Sequence, residues 1–169
     1  GVNEDFGSYP RTLQSDCEKL QSVGADAVFA PAVEEMYPDF DGKDLHQQIV
    51  IQPPPLADDL CGACRPGHFS GVATVVAKLF NMVRPQVAVF GKKDYQQLMV
   101  IRALVRQLNF EIHILAGETV REPSGLAMSS RNGYLTDIEK SQASQLQQQL
   151  LSVKKALLDG RRDYAELCE

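Results

Sequence analysis

Apolar residues recur along this chain in two rhythms, and their alternation sets the order of its elements. Leu13, Cys17 and Leu20 fall at i, i+4 and i+7, which predicts a helix over 9–23 that Gly24 can cap. Residues 25–30 form a short apolar run before Pro31 and read as a buried strand. Residues 48–52 are a second strand candidate, ended by Pro53-Pro54-Pro55 because proline has no N–H for a ladder. The clearest helix covers 70–83, where Val72, Val75, Val76, Leu79, Phe80 and Val83 make one apolar stripe and Arg84-Pro85 stops it. Residues 86–90 are again apolar and β-branched, closed by Gly91. A helical period resumes over 94–108 through Leu98, Met99, Leu104, Val105 and Leu108, and 111–115 is the next strand.

Strand, helix, strand over 86–115 is a βαβ unit, which makes a parallel sheet with a right-handed crossover and places the chain in the α/β class. Helices on both faces of the sheet would account for strands that are apolar throughout rather than alternating. The texture changes after Gly117: residues 117–135 are rich in glycine and hydroxyls and have no period. Thr136-Asp137-Ile138-Glu139 then reads as a capping box opening a long amphipathic helix through Ala143, Leu146, Leu150, Val153 and Leu157, ended by Asp159-Gly160. The boundary falls near 119, giving an incomplete Rossmann-like domain over 1–119 and the beginning of a smaller second domain over 120–169. One long helix and the start of another cannot bury their own apolar stripes, so the second unit reads as cut short.

Composition narrows the function classes. The chain has 169 residues, 44% hydrophobic and 23% charged, with a formal net charge of −5, the mix of an ordinary globular protein. It carries no basic footprint for nucleic acid. No apolar run is long enough to span a bilayer, and the opening Gly-Val-Asn-Glu-Asp-Phe has neither a basic start nor an apolar stretch of a signal peptide. Since the chain does not open with Met, its true start is expected upstream. Four cysteines are too few for a disulfide scaffold, so a reducing cytoplasm is expected. Cys17 falls on an apolar helix face and is expected in the core; Cys168 is expected to be terminal and exposed. Cys61-Gly62-Ala63-Cys64, with His68 four residues on, has the spacing of a zinc or redox pair. No second pair completes such a site, so it is read as a plain loop, with no metal site assigned.

Two loops carry candidate chemistry. Gly91-Lys92-Lys93-Asp94-Tyr95-Gln96-Gln97 runs from a strand's carboxyl end into a helix, the edge where open parallel sheets bind ligands. A helix amino terminus favours phosphate oxygens, and a lysine there adds a movable positive charge. Asp94 is placed either to accept from ribose hydroxyls or to cap the helix, and Gln97 lies one turn in. The second loop is Gly125-Leu126-Ala127-Met128-Ser129-Ser130-Arg131-Asn132, two hydroxyls followed by a guanidinium, a set suited to gripping polyphosphate. Read singly, each is also an ordinary turn or linker with solvated charges.

Together with Arg65-Pro66-Gly67-His68-Phe69 and Tyr9-Pro10-Arg11, in this order and at these intervals, the two loops resemble those of the pantothenate synthetase family over nearly the whole chain. That resemblance implies a nucleotidyltransferase-type α/β fold. It also implies ATP-dependent activation of pantoate as pantoyl adenylate, attack by the amine of β-alanine, ATP and Mg²⁺ as cofactors, and a cytoplasmic homodimer. By similarity Gly91, Lys92, Lys93 and Asp94 line the nucleotide, with Lys93 on phosphate and Asp94 near ribose. Val120 meets the adenine side through its backbone, and Met128, Ser129, Ser130 and Arg131 close on the phosphates. Lys93, Ser129, Ser130 and Arg131 carry the catalytic roles. Gln97 holds pantoate, with Val75 and Val76 as an apolar wall and His68 in the pocket lining. The resemblance further implies that Lys93 and the Ser129-Ser130 pair meet around one triphosphate.

The chain departs from that family's pattern. The Pro-Thr-Met-Gly, His-x-Gly-His and Asn-Pro-x-Gln-Phe motifs are absent from it, and His46, His68 and His113 form no such pair. The polypeptide alone is therefore expected to be inactive or nearly so. Two other readings stand beside the ligase: another adenylyl-transferring enzyme, and a non-catalytic ATP-binding or dimer-forming module.

Overall fold

The structure is a computed structural model that describes residues 11–167. Tyr9 and Pro10, where the first helix is expected to begin, lie outside the described residues, as does Cys168. Two compact units divide between Gly117 and Glu118.

The first unit runs through α1 (Leu13–Ser22), α2 (Val33–Met36), α3 (Cys61–Cys64), α4 (His68–Val83), β1 (Val87–Gly91), α5 (Tyr95–Gln107) and β2 (His113–Gly117). The strands pair in parallel, in register from Val87↔His113 to Gly91↔Gly117, so both end level at the same edge. The βαβ unit read from residues 86–115 is thus present, with α5 as its crossover. Val100, Ile101 and Leu104 of α5 pack on Ala73, Val76, Ala77 and Phe80 of α4, and Ala88, Phe90 and Ile114 of the sheet close against that cluster. Ile101 is 0% exposed. Arg84 ends α4 in the left-handed conformation, its N–H bonded to Phe80 O at 2.8 Å, with Pro85 next.

Four expectations about this unit are corrected. The sheet is covered on one face: Ala88, Phe90 and Ile114 meet the core, whereas Val87, Val89 and Leu115 on the other face are exposed among the described residues. Continuous apolarity shows that a strand can be buried on both sides, and does not say which side a helix takes. Residues 48–52 form no strand. Ile51 instead lies along α4, its N–H donating to Thr74 Oγ1 at 2.9 Å and its C=O accepting from Ser70 Oγ at 2.9 Å. Two helix side chains satisfy the backbone groups that a ladder would otherwise pair. Residues 25–30 are exposed and outside any strand, having no ladder partner among the described residues. Cys17 is half-buried rather than in the core, because no residue of α1 is buried.

The segment before Ile51 is tied to α4 by Lys78, whose ammonium lies 4.8 Å from the centre of the Tyr37 ring and donates to Gln47 Oε1 at 2.7 Å. Burial pushes the Tyr37 hydroxyl's pKa up. Between them, Asp41 organises a turn. Its Oδ1 accepts from the N–H of Asp44 at 2.7 Å and of Lys43 at 2.8 Å, and its Oδ2 lies 2.8 Å from His46 Nε2. The Asp44 N–H first, then the His46 ring, hold the Asp41 carboxyl down at about 2. An ionised carboxylate only accepts, so Nε2 carries the proton of that bond. The depressed value means that this turn's contribution is complete above the ordinary carboxylate range and is lost as pH falls through about 2. His46→Ala is expected to raise the Asp41 pKa part of the way to its ordinary value, since the two backbone donors remain. A carboxyl-detected NMR titration with no upward movement counts against this assignment.

In the second unit Thr136 Oγ1 accepts from the Glu139 N–H at 3.3 Å while the Glu139 carboxylate accepts from the Thr136 N–H at 2.8 Å. The expected capping box thus opens α6 (Asp137–Leu158), and the Thr136 N–H, then its hydroxyl, lower the Glu139 pKa. Ser144 is the buried residue of α6; Leu146 and Leu150 of its stripe are exposed, as is Leu151. A short α7 (Tyr164–Leu167) follows.

Candidate functional site

In the first unit, β1 ends at Gly91 and the chain turns at once into one 3-10 turn over Lys92–Asp94 and then α5. Gly91, Lys92, Lys93, Asp94 and Gln97 therefore share one strand-end loop and the first turn of the following helix. Asp94 occupies the N-cap position of α5 and makes no side-chain cap bond there. Lys93 and Asp94 are exposed, whereas Lys92 and Gln97 are half-buried. The loop offers a cation, a carboxylate and the positive end of a 13-residue helix at one edge of the sheet.

The pantoate candidates on α4 differ in setting. His68 is its first residue and meets Phe69 edge-on at 4.9 Å between ring centres. Val76 is 8% exposed and belongs to the core, while Val75 is half-buried at its margin. Packing of α4 on α5 brings these helices together within the unit.

Residues 61–64, read as a plain loop, are one helical turn, α3. Gly62 is buried there against Ala57, whose carbonyl oxygen a Cβ would strike. Gly62 thus serves a close backbone approach. Cys61 and Cys64 are exposed free thiols. Among the described residues no three His, Cys, Asp or Glu side chains gather to hold a metal.

In the second unit the Ser-Ser-Arg loop is the end of a hairpin. Met128 N–H donates to Val120 O at 2.9 Å, Glu122 N–H to Leu126 O at 2.8 Å, and Arg121 pairs with Ala127 as an antiparallel bridge. The tip depends on Gly125, at φ +92, where any added Cβ would run into the Gln147 carboxamide of α6. Arg121 Nη1 donates to the Gly125 carbonyl at 3.0 Å. Ser129 caps the turn Ser130–Tyr134, its Oγ accepting from the Arg131 N–H at 3.2 Å. Asn132 Nδ2 reaches back to Glu122 Oε1 at 2.9 Å and Ala127 O at 3.1 Å. Val120, Met128, Ser129, Ser130 and Arg131 therefore sit on one braced hairpin and its outgoing turn, with Val120 and Met128 66% and 57% exposed.

Sequence reasoning assigned no role to Gln96, Asn132, Glu122 or Arg121. The first two lie inside quoted motifs, but their hydrogen-bond partners follow no local spacing rule.

The parallel βαβ unit with a cationic loop at the carboxyl end of its strand is an α/β fold, and its structural neighbours place it in the nucleotidyltransferase type. The chain belongs to the pantoate–β-alanine ligase family, whose model matches residues 1–169. It is 58% identical over 164 residues to a pantothenate synthetase of Methylobacillus flagellatus, covering 97% of this chain and 57% of that protein. It is 57% identical over 168 residues to one of Thiobacillus denitrificans, covering 99% and 57%. Among solved structures it resembles pantothenate synthetase of Thermus thermophilus, with TM-score 0.87, 47% identity and coverage of 95% and 56%. It also resembles pantoate–β-alanine ligase of Francisella tularensis, a complex with βγ-ATP and β-alanine, with TM-score 0.75, 39% identity and coverage of 83% and 52%. The chain spans a little over half the length of the curated relatives it matches.

Proposed function

We propose that the protein is an ATP-dependent ligase that condenses pantoate with β-alanine through a pantoyl adenylate, releasing AMP and pyrophosphate. The observation that carries this reading is the family match along the whole chain, with the cationic strand-end loop and the braced Ser-Ser-Arg turn both present in it. Residues 1–119 are proposed as the nucleotide- and pantoate-binding domain and 120–169 as the start of a lid domain.

Attack of a carboxylate on a phosphate brings anion to anion, so the protein must neutralise charge and hold the reactants in line. Lys93 is proposed to hold phosphate oxygens. Asp94, lacking a cap bond at the N-terminus of α5, accepts from the ribose hydroxyls. Gly91 and Lys92 line the nucleotide, and Val120 borders the adenine. Met128, Ser129, Ser130 and Arg131 bind the phosphates, hydroxyls and guanidinium donating to their oxygens. Gln97 orients pantoate, with Val75, Val76 and His68 along its apolar side.

Mg²⁺ would neutralise phosphate charge when it arrives with the nucleotide. An ion carried on phosphates needs at most one or two protein carboxylates. Homodimeric assembly and a cytosolic location go with the same family reading; among the described residues no helix is long and apolar enough to cross a membrane.

The test is isotope exchange between ATP and pyrophosphate by the intact gene product. Exchange that requires pantoate, without β-alanine, is the expected result. Exchange indifferent to pantoate points to another adenylyl transferase, and none at all to a non-catalytic module.

A further inference from the structure

Gln96 precedes Gln97 on α5, yet its carboxamide serves another part of the chain. Its Nε2 donates to Leu56 O at 2.8 Å and to Asp59 O at 2.7 Å, and its Oε1 accepts from the Cys61 N–H at 3.1 Å. Both amide donors are used, and all three partners are backbone groups on a turn 35–40 residues upstream. Two of the bonds bracket Leu60, which stands at φ +49 and ψ −117. A non-glycine residue keeps such a backbone only where its surroundings impose it. Packing does not impose it here: Leu60 is 78% exposed and Leu56 39%, and both border an open recess of about 560 Å³. The fastening is the Gln96 carboxamide, together with Gly62 seated on Ala57. From this turn the chain passes through α3 and Arg65-Pro66-Gly67 into His68, the first residue of α4.

We propose that Gln96 is a positioning residue for the pantoate side of the site. By pinning the 56–61 turn to the first turn of α5, it sets where His68 at the head of α4 stands relative to Gln97. The proposal rests on the reading of His68 and Gln97 as pantoate-binding residues. It adds a residue that acts through both without touching the substrate.

The experiment compares the intact gene product with Gln96→Glu and Gln96→Met in the pantoate-dependent exchange. Glutamate keeps the length and the acceptor but removes both donors and sets a carboxylate against two carbonyls. Methionine keeps the length alone, and serves should the glutamate variant not fold. The expected result is a pantoate KM raised about tenfold, the order expected for losing one or two such bonds, with little change in ATP KM. Melting temperatures should stay within a few degrees of wild type. A folded variant with unchanged pantoate KM overturns the proposal. So does a parallel rise of both KM values, or a fall in melting temperature alone, which is what a merely structural bond would give. A wild-type protein whose exchange ignores pantoate overturns the reading of the site, and the proposal with it.

Discussion

Lys93→Ala in the intact protein is expected to lower kcat of pantoate-dependent exchange by roughly 10²–10³-fold, the cost of removing one preorganised donor from a developing oxyanion, about 2.7–4 kcal/mol. The size follows from where the charge sits. Lys93 is exposed at the head of α5, on a loop that begins at the carboxyl end of β1. On the proposed role, its ammonium and the helix N-terminus would act on the same anion. A lysine that only raised local nucleotide concentration would show in the ATP KM and fade with salt. A lysine that holds phosphate as negative charge builds on it shows in kcat. Lys93→Arg keeps the charge but replaces a compact ammonium with a rigid fork, and is expected to recover only part of the rate. A Lys93→Ala enzyme within about threefold of wild-type kcat, well short of the effect of losing one such donor, removes this residue from the chemistry.

What the sequence made legible follows the strength of each local signal. The helix at 70–83 carried a long unbroken stripe, and α4 stands there as His68–Val83. The capping box at Thr136–Glu139 named both reciprocal partners, and both bonds exist. Parallel pairing of the two strands followed from the crossover helix between them. Failures came where structure depends on distant partners. Residues 48–52 have the composition of a strand, but Ser70 and Thr74 of α4 take up the Ile51 backbone, and no local period announces that. Residues 61–64 suggested ligand chemistry or a loop, while the small residue between the cysteines serves the approach to Ala57. The site divides in the same way. Lys93, Asp94, Ser129 and Arg131 are proposed from the sequence because their chemistry is in the residue type and the motif. Gln96 and Asn132 are not, because each acts by bonding backbone that its own neighbours do not reveal.

Phe80→Ala is expected to destabilise the protein by about 3–5 kcal/mol, the range for truncating a buried aromatic side chain. Phe80 is 6% exposed and stands edge-on to two other rings, Phe90 of β1 at 6.2 Å and Phe110 at 5.7 Å between centres. It therefore joins α4 to the strand that feeds the Gly91 loop and to the segment that leads into β2. Alanine leaves a cavity bounded by both, and the half-buried Phe90 cannot fill it without leaving the sheet. Phe80→Leu, which keeps apolar volume but loses the ring, is expected to cost clearly less. A double-mutant cycle with Phe110→Leu separates burial from ring geometry, since an edge-to-face pair adds about 0.5–1.5 kcal/mol beyond the area it covers. Denaturant melts followed by circular dichroism supply all the free energies. A Phe80→Ala loss of under about 1 kcal/mol would mean that the ring is not held between these elements. Zero coupling to Phe110 would mean that the two rings are neighbours without an edge-to-face attraction.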